Sequence, residues 1–112
     1  MRAPTLLACL ALVGCAALTE DVRRTELAFS EARYEDVGVW LAELEPSLPD
    51  MSRRSRTLYY YMAGITASRM EDRVRARHLL ALCREEAGPE GFGLNEERAR
   101  NLKLTLRALE AE

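Results

Sequence analysis

The chain has 112 residues, of which 16 are Lys or Arg and 18 are Asp or Glu, for a formal charge of −2. A near-neutral, slightly acidic chain argues against a nucleic-acid partner, which attracts basic footprints. With 48% hydrophobic and 30% charged residues the composition is that of a folded protein rather than a disordered one, and the length suits one small domain and excludes two.

Arg2 supplies a short positive start, and Leu6 to Val13 (LLACLALV) is an apolar run. Apolar character ends at Leu18, before Thr19, Glu20 and Asp21. A membrane-spanning helix needs about 17–25 apolar residues, so the segment reads as a secretory signal rather than a lasting span. At its end, Leu12-Val13-Gly14-Cys15 resembles the lipobox of bacterial lipoproteins. That resemblance implies removal of residues 1–14, covalent lipid on Cys15 and a mature chain of 15–112. It also implies residence in the bacterial cell envelope. Ala16, where an Asp would favour the inner membrane, points to the outer membrane and its periplasmic side. Two or three acyl chains hold durably where one binds reversibly. Cys15-Ala16-Ala17 also fits an ordinary secretory cut after Ala17, which would leave no anchor. Cys9 departs with the leader and Cys15 takes lipid, so Cys83 stands alone and the mature chain forms no internal disulfide.

The body reads as all-α. No period-two run is sustained, and the breakers cluster at Pro46 and Pro49 and at Gly88 to Gly93. Five helices are expected. The first covers 18–32 and the second 34–44. The third covers 51–69, with Asp50 or Ser52 as its cap. The fourth covers 72–86, and the last covers 95–109. Gly38 lies inside the second helix and should cost about 1 kcal/mol relative to Ala; a close crossing by a neighbouring helix would explain it. Trp40 is one residue off that helix's apolar stripe and either packs between hairpins or stands exposed as an anchor. Arg53, Arg54 and Arg56 crowd the start of the third helix, where positive charge opposes the dipole. Solvation, an acidic partner or lipid headgroups would each account for them. Tyr59, Tyr60 and Tyr61 cannot all point one way, so at least one should lie near the surface. In the fourth helix Ala76, Leu79, Leu80 and Cys83 fall at i, i+3, i+4 and i+7, leaving Arg73, Arg75, Arg77 and Arg84 largely outside that stripe. In the last, Ala99, Leu102, Leu106 and Leu109 share a face, Leu104 falls off it, and Leu94-Asn95 is a hydrophobic entry followed by a cap.

The third and fourth helices resemble a tetratricopeptide (TPR) repeat. Tyr60 and Gly64 stand four apart, Ala76 follows Gly64 by twelve, and Leu80, Cys83 and the closing Gly88-Pro89 keep the family's spacing. The physical sense is an antiparallel pair in which Gly64 and Ala76 let two backbones approach while Tyr60 and Leu80 fill the space beside them. The first two helices give a degenerate copy: Val37, Leu41, Leu44 and Pro49 keep the second-helix spacing, but Thr25 stands where the glycine belongs. Val37 to Ala76 is 39 residues, against a family period of about 34. The resemblance implies antiparallel hairpins in a TPR-like right-handed solenoid. It has a degenerate repeat over 18–49, a clearer one over 51–89 and a capping helix over 95–110. Two repeats and a cap fall short of the usual three or more, so the domain either stands alone or completes itself against a partner. A generic helical bundle is the competing fold.

Catalytic chemistry finds no foothold. His78 is the only histidine, with no metal-binding spacing around it, and is expected to be partly exposed. Cys83 occupies a small-residue packing position and reads as a buried thiol. The glycines of 88–93 lack the preceding strand of a phosphate loop and read as a flexible turn. No enzyme, metal or cofactor is expected beyond the lipid on Cys15. Binding is the expected work. In the TPR family the first helix of each pair lines a concave surface that holds extended peptides or a partner's helix. The matching positions are Leu58, Tyr61, Ile65 and Arg69 in the clearer copy, and Val22, Glu26 and Phe29 in the degenerate one. Tyr and Arg are frequent interface anchors, although Tyr61 and Ile65 would serve equally as core. The expectation is a membrane-anchored adaptor or assembly factor with a protein partner in the envelope. The alternative is a structural lipoprotein that self-associates without a dedicated peptide groove.

Overall fold

The structure, a computed structural model, describes residues 3–111, with side chains over 16–111. The side chain of Cys15 lies outside the described side chains. Five α-helices and one 3-10 turn run in order: α1 (Ala3–Ser30), α2 (Tyr34–Leu44), the turn Glu45–Asp50, α3 (Arg53–Arg69), α4 (Arg73–Ala87) and α5 (Glu96–Glu110). No strand occurs among the described residues.

The helix starts obey local chemistry. Ser52 Oγ accepts the Ser55 N–H at 3.1 Å, Asp72 Oδ1 accepts that of Arg75 at 3.3 Å, and Asn95 Oδ1 accepts that of Arg98 at 2.8 Å. Each such cap stabilises its helix by about 1 kcal/mol. Of the two expected caps for the third helix, Ser52 is the one used, and Asp50 ends the preceding turn. The first helix differs from expectation, because α1 begins at Ala3 rather than near Leu18. The helix runs without a break, since the Leu- and Ala-rich stretch before residue 18 shares the helix preference of residues 18–30.

The ends of α1 and α3 repeat one device. Ala32 and Glu71 both take left-handed backbone, with φ of 58° and 63°. After each, a backbone N–H reaches back over the turn: Arg33 to Ala28 O at 3.1 Å, and Asp72 to Ala67 O at 2.9 Å. These are Schellman closures, which satisfy the last carbonyls of a helix. Ala32 and Glu71 are 39 residues apart, as are Val37 and Ala76, both 0% exposed. The two hairpins therefore correspond in backbone as well as in side-chain register.

Each helix packs on its successor, and α1 also packs on α3. The tightest junction lies between α3 and α4. A Cβ built on Gly64 would sit 2.5 Å from Leu80 Cδ2 and 2.6 Å from Leu80 Cγ, and Leu80 is fully buried. Gly64 is thus a glycine by necessity. Met62 and Cys83 complete this part of the core. Tyr60 is only half-buried, stacked edge-on against Tyr59 with centroids 5.6 Å apart; it is the one tyrosine of the three near the surface. In the first hairpin Thr25 takes the glycine's place, buried, its hydroxyl donating to Asp21 O at 2.8 Å. Trp40 is half-buried and packs against the core, with the Arg33 guanidinium 5.7 Å from its ring centroid.

Gly38 departs from expectation. A Cβ there would meet no atom within 4 Å, so no helix of this chain crosses close to it. Gly38→Ala should therefore stabilise the isolated chain by about 1 kcal/mol through helix propensity alone. Chemical denaturation would read this as a higher midpoint at unchanged slope.

Two of the three arginines that open α3, Arg53 and Arg56, are committed inside the molecule, while Arg54 is exposed to solvent. Arg53 Nε donates to Glu86 O at 2.8 Å and its Nη2 to Ala87 O at 3.3 Å, so its charge closes the carbonyl end of α4. Arg56 pairs with Glu86 at 2.9 Å and donates to Met51 O at 2.6 Å. Their acidic partner is the neighbouring helix of the same chain. The turn 88–93 is tied rather than loose: Phe92 N–H donates to Ala87 O at 2.9 Å and Arg53 lies 4.5 Å over the Phe92 ring.

In α4, Ala76, Leu79, Leu80 and Cys83 are buried as the stripe requires. In α5, Leu102, Leu106 and Leu109 are buried while Leu104 is exposed. Leu94 packs half-buried against the core. No helix among the described residues is long and apolar enough to cross a membrane.

Candidate functional site

Phe29 at the end of α1 and Tyr61, Ile65 and Arg69 on α3 line one cleft of about 600 Å³. The opposite wall comes from α5, through Arg98, Asn101 and Thr105, and Tyr34 closes the cleft at the start of α2. Leu58, another of the seven expected positions, is sealed in the core instead. At its level Gly93 comes up against Thr57, where a Cβ would lie 3.1 Å from the threonine's own, so the loop before α5 covers that turn of α3. Val22 is also core, and Glu26 is half-buried in an ion pair with Arg98 that ties α1 to α5.

Aromatic rings form the floor. Phe29 meets Tyr34 edge-on at 5.9 Å and Tyr61 at 5.8 Å between centroids. Such pairs contribute about 0.5–1.5 kcal/mol beyond simple burial. Two guanidiniums rise from this floor, Arg69 at 6.0 Å over the Tyr34 ring and Arg98 at 6.0 Å over Tyr61. Their states differ. Arg98 is bound by Glu26, whereas Arg69 is exposed and makes no ion pair among the described residues. Asn101 Nδ2 donates to the Tyr61 hydroxyl at 3.5 Å. Burial raises the Tyr61 pKa above its ordinary value, opposed by that hydrogen bond and by Arg98, so the phenol stays neutral at physiological pH. Tyr61 and Ile65 thus serve both readings at once: they are buried core side chains whose edges also reach the cleft.

Sequence spacing did not single out Tyr34, Arg98 or Asn101. The available signal was on α5: Arg98, Asn101 and Thr105 recur at i, i+3 and i+7, beside the leucine stripe. A polar stripe of that kind reads as solvated surface until the fold sets it opposite Tyr61.

The cleft holds aromatic faces, the Arg69 guanidinium, the Glu97 carboxylate, the Glu26-bound Arg98, amides and hydroxyls. Cys83 lies away from it, fully buried, its Sγ 3.5 Å from Thr57 O. Burial pushes the Cys83 thiol from 9.0 up to about 12. The folded state therefore holds the thiol protonated where the unfolded chain would ionise it. Stability from this group is intact below about pH 9 and falls as pH rises toward 12, by up to about 1.4 kcal/mol per unit. A thiol reagent should leave the native chain's Cys83 unmodified at pH 8 and label it on denaturation; rapid native labelling would contradict this burial. His78 is exposed, and no group of three His, Cys, Asp or Glu that could hold a metal occurs among the described residues.

Comparison with protein-family models, curated proteins and solved structures finds no match to this chain.

Proposed function

We propose that this chain is a lipid-anchored, TPR-like adaptor of the bacterial cell envelope, tethered through Cys15 at the periplasmic side of the outer membrane. Its cleft between α1, α3 and α5 would take an extended segment or a helix of a protein partner. The carrying observation is that four of the seven positions chosen from the repeat pattern, Phe29, Tyr61, Ile65 and Arg69, line one cleft. The 39-residue correspondence of the two hairpins and the forced glycine at Gly64 support the repeat reading. Arg69 is the natural anchor, because an exposed guanidinium over an aromatic ring is ready to pair with a carboxylate or a carbonyl.

The experiment has two arms. Cys15→Ser should move the protein from the membrane to the soluble fraction or stop its maturation, because no thiol remains to carry acyl chains. Unchanged membrane fractionation would contradict the anchor. In the same cells, cross-linking the anchored chain should yield a discrete protein adduct. Absence of any adduct from a correctly localised chain would contradict the adaptor.

A further inference from the structure

A second surface lies away from the cleft. Between the end of α4 and the outer side of α5 runs a groove of about 690 Å³. Its floor is apolar, with Ala87, Leu94 and Ala99 beside the buried Leu102 and Leu106. Its rim is basic. Arg100, Lys103 and Arg107 recur at i, i+3 and i+7, are exposed, and make no ion pair among the described residues. Arg84 adds a fourth cation, which Glu110 holds at 3.3 Å.

The opposite chemistry stands on α2. Val39 is 59% exposed, and Ala42 beside it is exposed as well. Glu35 and Glu43 flank this small apolar strip and make no ion pair among the described residues, Glu43 on the side that also borders Arg24 and Trp40, while Asp36 is taken by Arg33 at 2.7 Å. Glu35 and Glu43 are separated by a helical rise of about 12 Å, close to the rise of about 10 Å between Arg100 and Arg107. Gly38 adds an independent mark. It lies on the edge of the same face, weakens α2, and no side chain or other element of its own chain comes within 4 Å of where its Cβ would be. A bare backbone on an open face leaves room for a close approach from outside.

We propose that the outer face of α2 docks into the α4–α5 groove of a second copy of this chain, carboxylates against the Arg100–Arg107 stripe and Val39 on the apolar floor. The two surfaces are different patches of one molecule, so the contact is heterologous and adds copies head to tail rather than closing a two-fold dimer. It leaves the α1–α3–α5 cleft free, and it stands whether or not that cleft binds a partner. Charge pairing at the rim makes the association salt-sensitive.

The test is sedimentation of the full-length chain in a mild detergent with micelles in excess, over a range of protein concentrations and at low and high salt. The expected result is a mass that grows with concentration and shrinks with salt. Glu35→Lys with Glu43→Lys should weaken association about tenfold or more, and so should Lys103→Glu with Arg107→Glu. Mixing the two double variants should restore it, because each then offers the charge the other lacks. Gly38→Leu should also abolish association while retaining full helicity by circular dichroism, since a Cβ at this position meets no neighbouring element of the monomer. A chain monomeric at every concentration would overturn the proposal. So would self-association that ignores salt and both charge reversals, or a mixture that fails to reassociate while each variant remains folded.

Discussion

Gly64→Leu should destabilise the domain by about 3 kcal/mol, the upper end of the usual cost of overpacking a filled core. The cause is local and has two parts. The first Cβ would already lie 2.5 Å from Leu80 Cδ2, and Leu80 N stands 3.2 Å away, so the side chain and the α4 backbone would both have to move. The gain in helix propensity on replacing glycine, about 1 kcal/mol, offsets only part of this. In a domain of this size each kcal/mol shifts the melting temperature by about 4–8 °C, so a fall of more than about 12 °C is expected. Gly64→Ala should show the same sign with a smaller effect. Leu80→Ala, costly alone because it empties a buried site, should cost less in the Gly64→Ala background. That non-additivity is the signature of two residues sharing one space. An unaltered melting temperature in Gly64→Leu would contradict the tight α3–α4 junction.

Arg69→Glu should weaken partner capture about tenfold or more while the chain stays folded. Arg69 is exposed, makes no ion pair among the described residues, and stands over the Tyr34 ring in the last turn of α3. Its replacement should therefore cost no more than about 1 kcal/mol, from the lost ring contact and from a carboxylate at the negative end of the helix dipole. Its place at the mouth of the aromatic floor is where a partner's acidic or carbonyl groups would be met, and interface arginines of this kind commonly contribute more than 1 kcal/mol. Capture should fall about tenfold or more, with Arg69→Lys intermediate because the planar fork is lost while the charge remains. Capture at wild-type level by Arg69→Glu would move the binding surface elsewhere.

The helices were legible because their punctuation is local. Pro46, Pro49 and the glycines of 88–93 divide the chain, and Ser52 and Asn95 cap where short polar residues should. The apolar stripes of α4 and α5 map onto buried faces almost residue for residue. What escaped the sequence depended on neighbours or on unexpected residues. Ala32 and Glu71 hold left-handed turns usually given to glycine, so the matching hairpin ends carried no visible mark. Gly38 looked like a packing glycine and has open space around it. Arg53 and Arg56 looked misplaced against the α3 dipole, because the groups they serve on α4 are about thirty residues away in sequence. The cleft was half-visible for the same reason. The repeat pattern picks out the α1 and α3 walls, whereas Arg98 and Asn101 gain meaning only once α5 lies opposite Tyr61.

Photo-cross-linking from two positions of the full-length chain in its own cells is the most direct measurement. A photo-reactive residue would replace Ser30 at the rim of the cleft in one variant, and His78 on the exposed side of α4 in the other. A discrete protein adduct from position 30, absent from position 78, is the result expected of an adaptor that works through the α1–α3–α5 cleft with its Arg69 anchor intact. Equal labelling from both positions, or an adduct from position 78 alone, would contradict it.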